Sequence, residues 1–276
     1  MDMLRTTKDL LREHGLTPDK DKSQNFLVDE KVYESIVTAA ELEPSDTVLE
    51  VGPGLGFLTV RLLERAREVK AVELDRNLYT LLTQLTHTYG NLELINQDIL
   101  KFQEEKLPMN YKLVANIPYH LTGKIIRKFF TSGHKPLLAV LLVQKEVAQR
   151  ICAKPGDHSL LSLAVQYYGR PEIVMEVTRQ SFYPSPRVDS AIVRVSQIAQ
   201  AVDPDSEELF WRVVKHAFSS KRKTLAHNLA AGFVLDKPRV RSVIKLAGFP
   251  EKVRAQELSL VDWKRLIPVI LKEINN

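Results

Sequence analysis

The chain has a single cysteine, Cys152, among its 276 residues. That excludes a disulfide framework and a cysteine-based zinc centre, and points to a reducing, cytoplasmic setting. Long apolar stretches are missing as well. The longest, Leu137 to Val143, falls far short of the roughly 18 residues needed to span a bilayer. The opening Met1-Asp2-Met3-Leu4-Arg5-Thr6-Thr7-Lys8 carries no apolar segment of signal-peptide length. Neither a membrane protein nor a secreted one is expected. The seven histidines show no ligand spacing and no residue cluster has the character of a nucleophilic triad, so no metal is expected. Internal repeats and low-complexity segments are absent. What is present is 44% hydrophobic content, over a length suited to one large domain or one domain with an appendage. Lys and Arg total 39 against 34 Asp and Glu, a net charge of +5 that mildly favours a polyanionic partner.

Residues 1–46 read as polar and irregular, with helix-like stretches at Asp9 to His14 and Glu30 to Glu41. From Thr47, short apolar runs alternate with amphipathic segments. Strands are predicted at 47–51, 69–74, 92–96, 111–115 and 137–143, and helices over 58–67, through Leu78 to Leu85, and over 124–130. This alternation argues for a parallel sheet covered on both faces, an α/β fold. After residue 170 the pattern changes: strands at 173–178 and 191–195 flank the turn-rich Phe182-Tyr183-Pro184-Ser185-Pro186 with no helix between them. Such a pair closes the sheet edge antiparallel. Asp203-Pro204-Asp205-Ser206 is a linker signal. Beyond it the stretches 207–217, 223–231, 238–247 and 262–273 read as helices, with Trp211 and Trp263 as core. A boundary near residue 200 divides the chain into domains 1–200 and 201–276.

The segment Glu50-Val51-Gly52-Pro53-Gly54-Leu55-Gly56 follows the first strand and opens a helix. Glycines there, Gly52 and Gly54 first, let the backbone approach a ligand without side-chain obstruction. Glu73 ends the next strand, about 20 residues on, where an acid can accept both hydroxyls of a ribose. Asn96-Gln97-Asp98 ends the third strand, where Asp98 can meet the N6 amine of an adenine. The glycines fall as G-x-G-x-G rather than in the dinucleotide spacing, and no Walker lysine follows. These features describe an adenosine-containing ligand without a pyrophosphate, and S-adenosylmethionine fits best.

Asn116-Ile117-Pro118-Tyr119 ends the fourth strand, at the carboxyl edge where open α/β sheets bind ligands. An exocyclic adenine amine is a poor nucleophile because its lone pair is delocalised into the ring. The Asn116 amide oxygen and a backbone carbonyl, of Ile117 or of Pro118, can accept its two N–H bonds and concentrate electron density on nitrogen. Tyr119 offers a face on which the base can stack. Orientation and desolvation would then supply most of the acceleration.

Ser23-Gln24-Asn25-Phe26-Leu27, the glycine loop, Asn116-Ile117-Pro118-Tyr119 and Phe182-Tyr183-Pro184-Ser185-Pro186-Arg187-Val188-Asp189-Ser190 stand in the order and spacing of the rRNA adenine N6-methyltransferases. The chain most resembles the KsgA/RsmA family of small-subunit rRNA adenine N6,N6-dimethyltransferases over nearly its whole length. Gln144-Lys145-Glu146-Val147-Ala148 and Ser220-Lys221-Arg222-Lys223-Thr224-Leu225 strengthen the likeness. Ser23 and Ile117 depart from it, standing where that family often has Gly and Leu. The resemblance implies a class I, Rossmann-like S-adenosylmethionine-dependent methyltransferase sheet with a small all-helical C-terminal domain for RNA recognition. It implies cofactor contacts from Asn25, Leu27, Gly52, Glu73, Asp98 and Asn116, and a target adenine sandwiched between Tyr119 and Phe182. The substrate implied is a pair of adjacent adenosines in the 3′-terminal hairpin loop of 16S rRNA, in an immature small ribosomal subunit. A monomeric enzyme is expected.

Two basic clusters suit an RNA partner. Lys124, Arg127 and Lys128, at helical spacing just after the Asn-Ile-Pro-Tyr motif, form a candidate phosphate track, as do Lys221, Arg222 and Lys223 near a helix start in the second domain. An Erm-type large-subunit rRNA methyltransferase shares the sheet motifs and is the first alternative. A non-enzymatic ribosome-assembly factor is the second, and the intact Asn116 and Tyr119 argue against it as the sole role.

Overall fold

The computed structural model describes residues 2–19, 24–118, 121–199 and 203–274. Ser23 and Tyr119 therefore lie outside the described residues. In chain order the elements are α1 (Met3–Glu13), β1 (Phe26–Leu27), α2 (Glu30–Ala39), β2 (Thr47–Val51), α3 (Phe57–Leu63), β3 (Glu68–Glu73), α4 (Arg76–Leu85), β4 (Leu92–Asn96), β5 (Lys112–Asn116), α5 (Thr122–Thr131), β6 (Leu138–Gln144), α6 (Lys145–Ile151), α7 (Leu160–Gln166), β7 (Arg170–Val177), β8 (Phe182–Tyr183) and β9 (Ser190–Ser196). Four further helices follow: α8 (Pro204–Ala217), α9 (Leu225–Phe233), α10 (Lys237–Leu246) and α11 (Leu260–Ile274).

The main sheet runs β4-β3-β2-β5-β6-β9-β7. The first five strands are parallel, and β9 pairs antiparallel with both β6 and β7. The apolar runs explain this arrangement. Every residue of β2 is buried, as is all of β6 but its last residue, the burial expected of strands covered by helices on both faces. The outer strand β7 is mostly exposed instead, and carries Pro171, Glu172, Glu176 and a bulge between Ile173 and Met175. Those features guard an open edge against further pairing. From β2 the chain winds outward to β3 and β4, then returns to β5 on β2's other side. The carboxyl ends of β2 and β5 thus meet at a topological switch point, where such sheets bind ligands.

Contacts divide the chain into two units, 1–149 with 168–200, and 150–167 with 201–276. The second unit is therefore not residues 201–276 alone. Residues 150–167 join it through backbone bonds from Gly156 and His158 to the Gln256 carbonyl, at 2.9 and 3.2 Å, and through the His158 ring against the Leu258 carbonyl. Leu163 of α7 is buried in this unit's core with Phe210, Leu229, Ile244, Trp263 and Leu266. Trp263 is fully buried, whereas Trp211 packs at the core's margin against Tyr167 and Phe210.

Candidate active site

A cleft of about 180 Å³ opens at the switch point. It gathers Asn25, Leu27, Gly52, Gly54, Glu73, Asp98, Asn116 and Phe182, which lie on six separate stretches of chain. Register accounts for the meeting. Val51 pairs with Val72 on one side and Ala115 on the other, so the next residues, Gly52, Glu73 and Asn116, leave three neighbouring strands at the same level. Glu73 in turn pairs with Asn96, which brings Asp98 to the same rim.

The glycine loop needs its glycines. Gly52, Gly54 and Gly56 have φ of 69°, 60° and 81°, the left-handed region that side chains with a Cβ disfavour. A Cβ on Gly52 would sit 3.7 Å from the Asn116 carbonyl, one on Gly54 3.5 Å from the Phe26 ring, and one on Gly56 would overlap Leu82. The first two would fill space between the loop and the opposing wall of the cleft.

Glu73 is 6% exposed and oriented by the backbone: its Oε1 accepts from the Asp75 N–H at 2.8 Å and its Oε2 from the Gly54 N–H at 3.2 Å. Burial pushes its pKa up, while those amides pull it back toward the anion. A carboxylate has about four acceptor positions, so about two remain for a ligand. Asp98 caps a short helical turn by accepting from the Leu100 N–H at 2.9 Å through Oδ1, and its Oδ2 makes no hydrogen bond to a described residue. The Asn116 side chain makes none either. Nearby, the Pro118 carbonyl accepts from the Leu121 N–H at 2.8 Å, and the Ile117 N–H donates to the Leu142 carbonyl at 3.2 Å. The carbonyl of Ile117 is thus the freer of the two candidates for a second acceptor beside Asn116.

Phe182 lines the same cleft from β8, directly opposite Leu27 in the two-stranded β1–β8 ribbon. It is only 4% exposed and is counted in the main core with Val32, Tyr33 and Ile192. Its ring serves packing as well as the cleft wall.

No sequence motif marks Glu50, yet it lines the cleft at 1% exposure with Oε2 unpartnered. Burial first, then the charge of Glu73, lifts its pKa to about 8; the Thr59 hydroxyl opposes this without reaching hydrogen-bond geometry. The signal was available as a lone acid inside the otherwise apolar run Thr47-Val48-Leu49-Glu50-Val51.

The first basic cluster divides. Lys124 and Arg127 are exposed on α5. Lys128 is instead held at 2.6 Å by both the buried Glu104 carboxylate and the Phe102 carbonyl, so its charge is neutralised within the fold and it leaves the phosphate track. Lys221, Arg222 and Lys223 are exposed in the turn between α8 and α9. Asn228, 2% exposed, fixes that turn by donating to the Ala217 and Ser220 carbonyls at 2.6 and 2.9 Å. Among the described residues no cluster could hold a metal ion, and no helix is long and apolar enough to cross a membrane.

Comparison with known proteins agrees with this geometry. The chain is 42% identical over 271 residues to the ribosomal RNA small subunit methyltransferase A of Dehalococcoides mccartyi (strain CBDB1), covering 96% of this chain and 92% of the relative. It is 36% identical over 280 residues to the protein of the same name from Alkaliphilus oremlandii (strain OhILAs), covering 98% of each. The crystal structure of a dimethyladenosine transferase from Plasmodium falciparum superposes with a TM-score of 0.74 at 27% identity, covering 90% of this chain and 98% of that one. That of the 23S rRNA methyltransferase ErmE gives 0.72 at 29% identity, covering 89% and 99%. The α/β fold is therefore the Rossmann-like one of these methyltransferases. Residues 17–266 match the description "Ribosomal RNA adenine dimethylase", and the chain belongs to that family.

Proposed function

We propose that the protein dimethylates N6 of two adjacent adenosines in the 3′-terminal hairpin loop of 16S rRNA, using S-adenosylmethionine, in an immature small subunit and as a cytoplasmic monomer. The observation that carries this reading is the convergence of Gly52, Glu73, Asp98 and Asn116 on one cleft at the switch point. S-adenosylmethionine supplies an electrophilic methyl group on a sulfonium. Glu73 accepts from the ribose hydroxyls through its remaining acceptor positions, and the Asp98 Oδ2 accepts from the cofactor's adenine amine. The Asn116 Oδ1 and the Ile117 carbonyl accept from the target N6 amine, directing its lone pair away from the ring. An N6-monomethyl adenine still keeps one N–H for these acceptors, so the second transfer needs no other device. Phe182 and Tyr119 hold the base out of its stack, which a loop adenine leaves at the smallest energetic cost.

The small-subunit assignment rests on relatives of that name matching over more than nine-tenths of the chain; the likeness to ErmE keeps the large-subunit reading as its competitor. Incubation with labelled cofactor and each ribosomal subunit, followed by mapping of the modified nucleotides, decides between them. Dimethylation of the two small-subunit adenosines is the expected result. Label on a large-subunit adenosine would transfer the proposal to the Erm type, and absence of label on either would reduce the chain to a binding factor.

Two further outcomes follow from the same reading. Glu73→Ala is expected to weaken binding of S-adenosylhomocysteine by one or two charge-assisted hydrogen bonds, about 1.5–3 kcal/mol each, and to leave the Gly54 and Asp75 amides without their acceptor. Unchanged affinity by calorimetric titration would contradict the ribose role. Charge reversal at Lys221, Arg222 and Lys223 is expected to weaken binding to the ribosomal particle and flatten its salt dependence, because fewer counterions are released. Cofactor affinity should not change. An unaltered salt slope would return these residues to an ordinary solvated turn.

A further inference from the structure

The β1–β8 ribbon contributes to the cleft from both of its strands. Leu27 of β1 and Asn25 just before it face the cleft as cofactor contacts, and Phe182 of β8 faces it as a base contact. Leu27 and Phe182 are paired residues of a ribbon only two residues wide on each side. A pair of strands this short has little stability of its own, so its place depends on what packs around it. At one end, Ser181 donates through Oγ to the Asp29 carboxylate at 2.9 Å, and its carbonyl accepts from the Val28 N–H at 2.8 Å. That ties the ribbon to the start of α2.

The other support comes from α1, a helix to which neither the sequence motifs nor the proposed chemistry assigns a part. Its buried residues Met3, Thr7 and Leu11 recur every four positions and form one stripe. Leu11 is buried in a small cluster with Phe26 of β1, Leu55 of the glycine loop, and Leu78 and Leu81 of α4, with Tyr183 packed against it. Met3 enters the main core, which holds Leu27 and Phe182. On the helix's flank, the exposed Lys8 places its Nζ 5.1 Å from the centroid of the Tyr183 ring, within the range of a cation–π contact. Tyr183 is the strand partner of Phe26. The helix thus reaches β8 directly through Lys8 and shares one buried cluster with Phe26 of β1 and Leu55 of the glycine loop.

We infer that α1 is a positioning clamp, which through Lys8 on Tyr183 and Leu11 on Phe26 couples occupancy of the cofactor cleft to the placement of Phe182 against the target base. This rests on reading the cleft as the cofactor site. A ligand seated against Asn25 and Leu27 stiffens the ribbon, and RNA binding then finds Phe182 already ordered. By linkage RNA raises cofactor affinity by the same factor.

The test is titration of the full-length protein with S-adenosylhomocysteine, alone and with saturating small ribosomal subunit lacking the methyl groups. Wild type should bind S-adenosylhomocysteine about 5- to 10-fold more tightly when the particle is present. Lys8→Met and Leu11→Ala should reduce that ratio to near one, while Lys8→Arg, which keeps a cation over the ring, should retain it. Leu11→Ala also creates a void, so the exposed Lys8→Met decides if the former fails to fold. The salt dependence of particle binding should be the same for Lys8→Met and wild type. Wild-type ratios in both Lys8→Met and Leu11→Ala overturn the clamp. So does a reduced salt slope in Lys8→Met, which would assign Lys8 to the RNA backbone. A wild-type ratio of one overturns the clamp but leaves the cofactor reading standing, whereas wild type that binds no S-adenosylhomocysteine overturns that reading and the clamp with it.

Discussion

Asn116→Ala is expected to lower the single-turnover rate of methylation by about 10²- to 10³-fold, the usual effect of removing one preorganised polar group that acts where charge develops, with RNA affinity little changed. The structure gives the reason for so selective a loss. Asn116 ends β5, paired with Leu142 of β6 and directly following Ala115, which pairs with Val51 of β2, so the sheet holds its backbone. Its side chain makes no hydrogen bond to a described residue, and truncation therefore leaves no buried group without a partner. What disappears is the acceptor for the target amine, an interaction that gains strength only as the nitrogen acquires charge. An equal fall in rate and in RNA affinity would show instead that Asn116 is a binding residue. Phe182 does not permit so clean a comparison. Its ring is part of the main core, and Phe182→Ala would add a packing loss of about 3–5 kcal/mol to the lost stacking. Phe182→Leu separates the two better, because it keeps most of the buried volume and removes the aromatic face.

Strands β2, β5 and β6 were legible in the sequence because strands buried on both faces are apolar over most of their length, and short apolar runs between amphipathic helices have few other uses. The antiparallel pair β7 and β9 was legible for a related reason, since no helix separates the two runs. Elements whose existence depends on distant partners were not. β1 and β8 have two residues each and pair across more than 150 positions of chain, so neither has a periodicity to read. Residues 150–167 belong to the second unit through Gln256 and Leu258, a grouping that sequence adjacency conceals. Within the candidate site, the position of Gly52, Glu73, Asp98 and Asn116 at or just beyond strand ends was legible, because glycines and acids after strands have a local cause. Lys128 is the converse case, with a partner that its own neighbourhood in the sequence does not reveal. The spacing of 124, 127 and 128 puts three cations on one side of α5, but the acid that neutralises Lys128 comes from Glu104, 24 positions earlier.

Glu50 has a large expected effect on stability, and its size depends on pH. The side chain lies in β2, an interior strand of the sheet, at 1% exposure, with one oxygen unpartnered, so burial penalises its charged form and lifts the pKa from 4.5 to about 8. Below pH 4.5 the proton is bound in both the folded and the unfolded chain, and Glu50 costs nothing. Between 4.5 and 8 the unfolded chain releases the proton while the folded one keeps it. The unfolded state then binds fewer protons, and stability falls with rising pH by about 1.4 kcal/mol per unit. At pH 7 the accumulated cost is on the order of 3 kcal/mol, and above pH 8 the loss levels off because both states are ionised. Glu50→Gln cannot ionise and escapes this cost. The variant should be more stable than wild type at pH 7 and show a flatter profile from pH 5 to 8, while the two proteins converge toward pH 4.5. Urea unfolding at pH 5, 6, 7 and 8 measures the difference directly. Parallel profiles for the two proteins would mean that Glu50 is ionised in the folded state, and that a partner in the cleft compensates its charge.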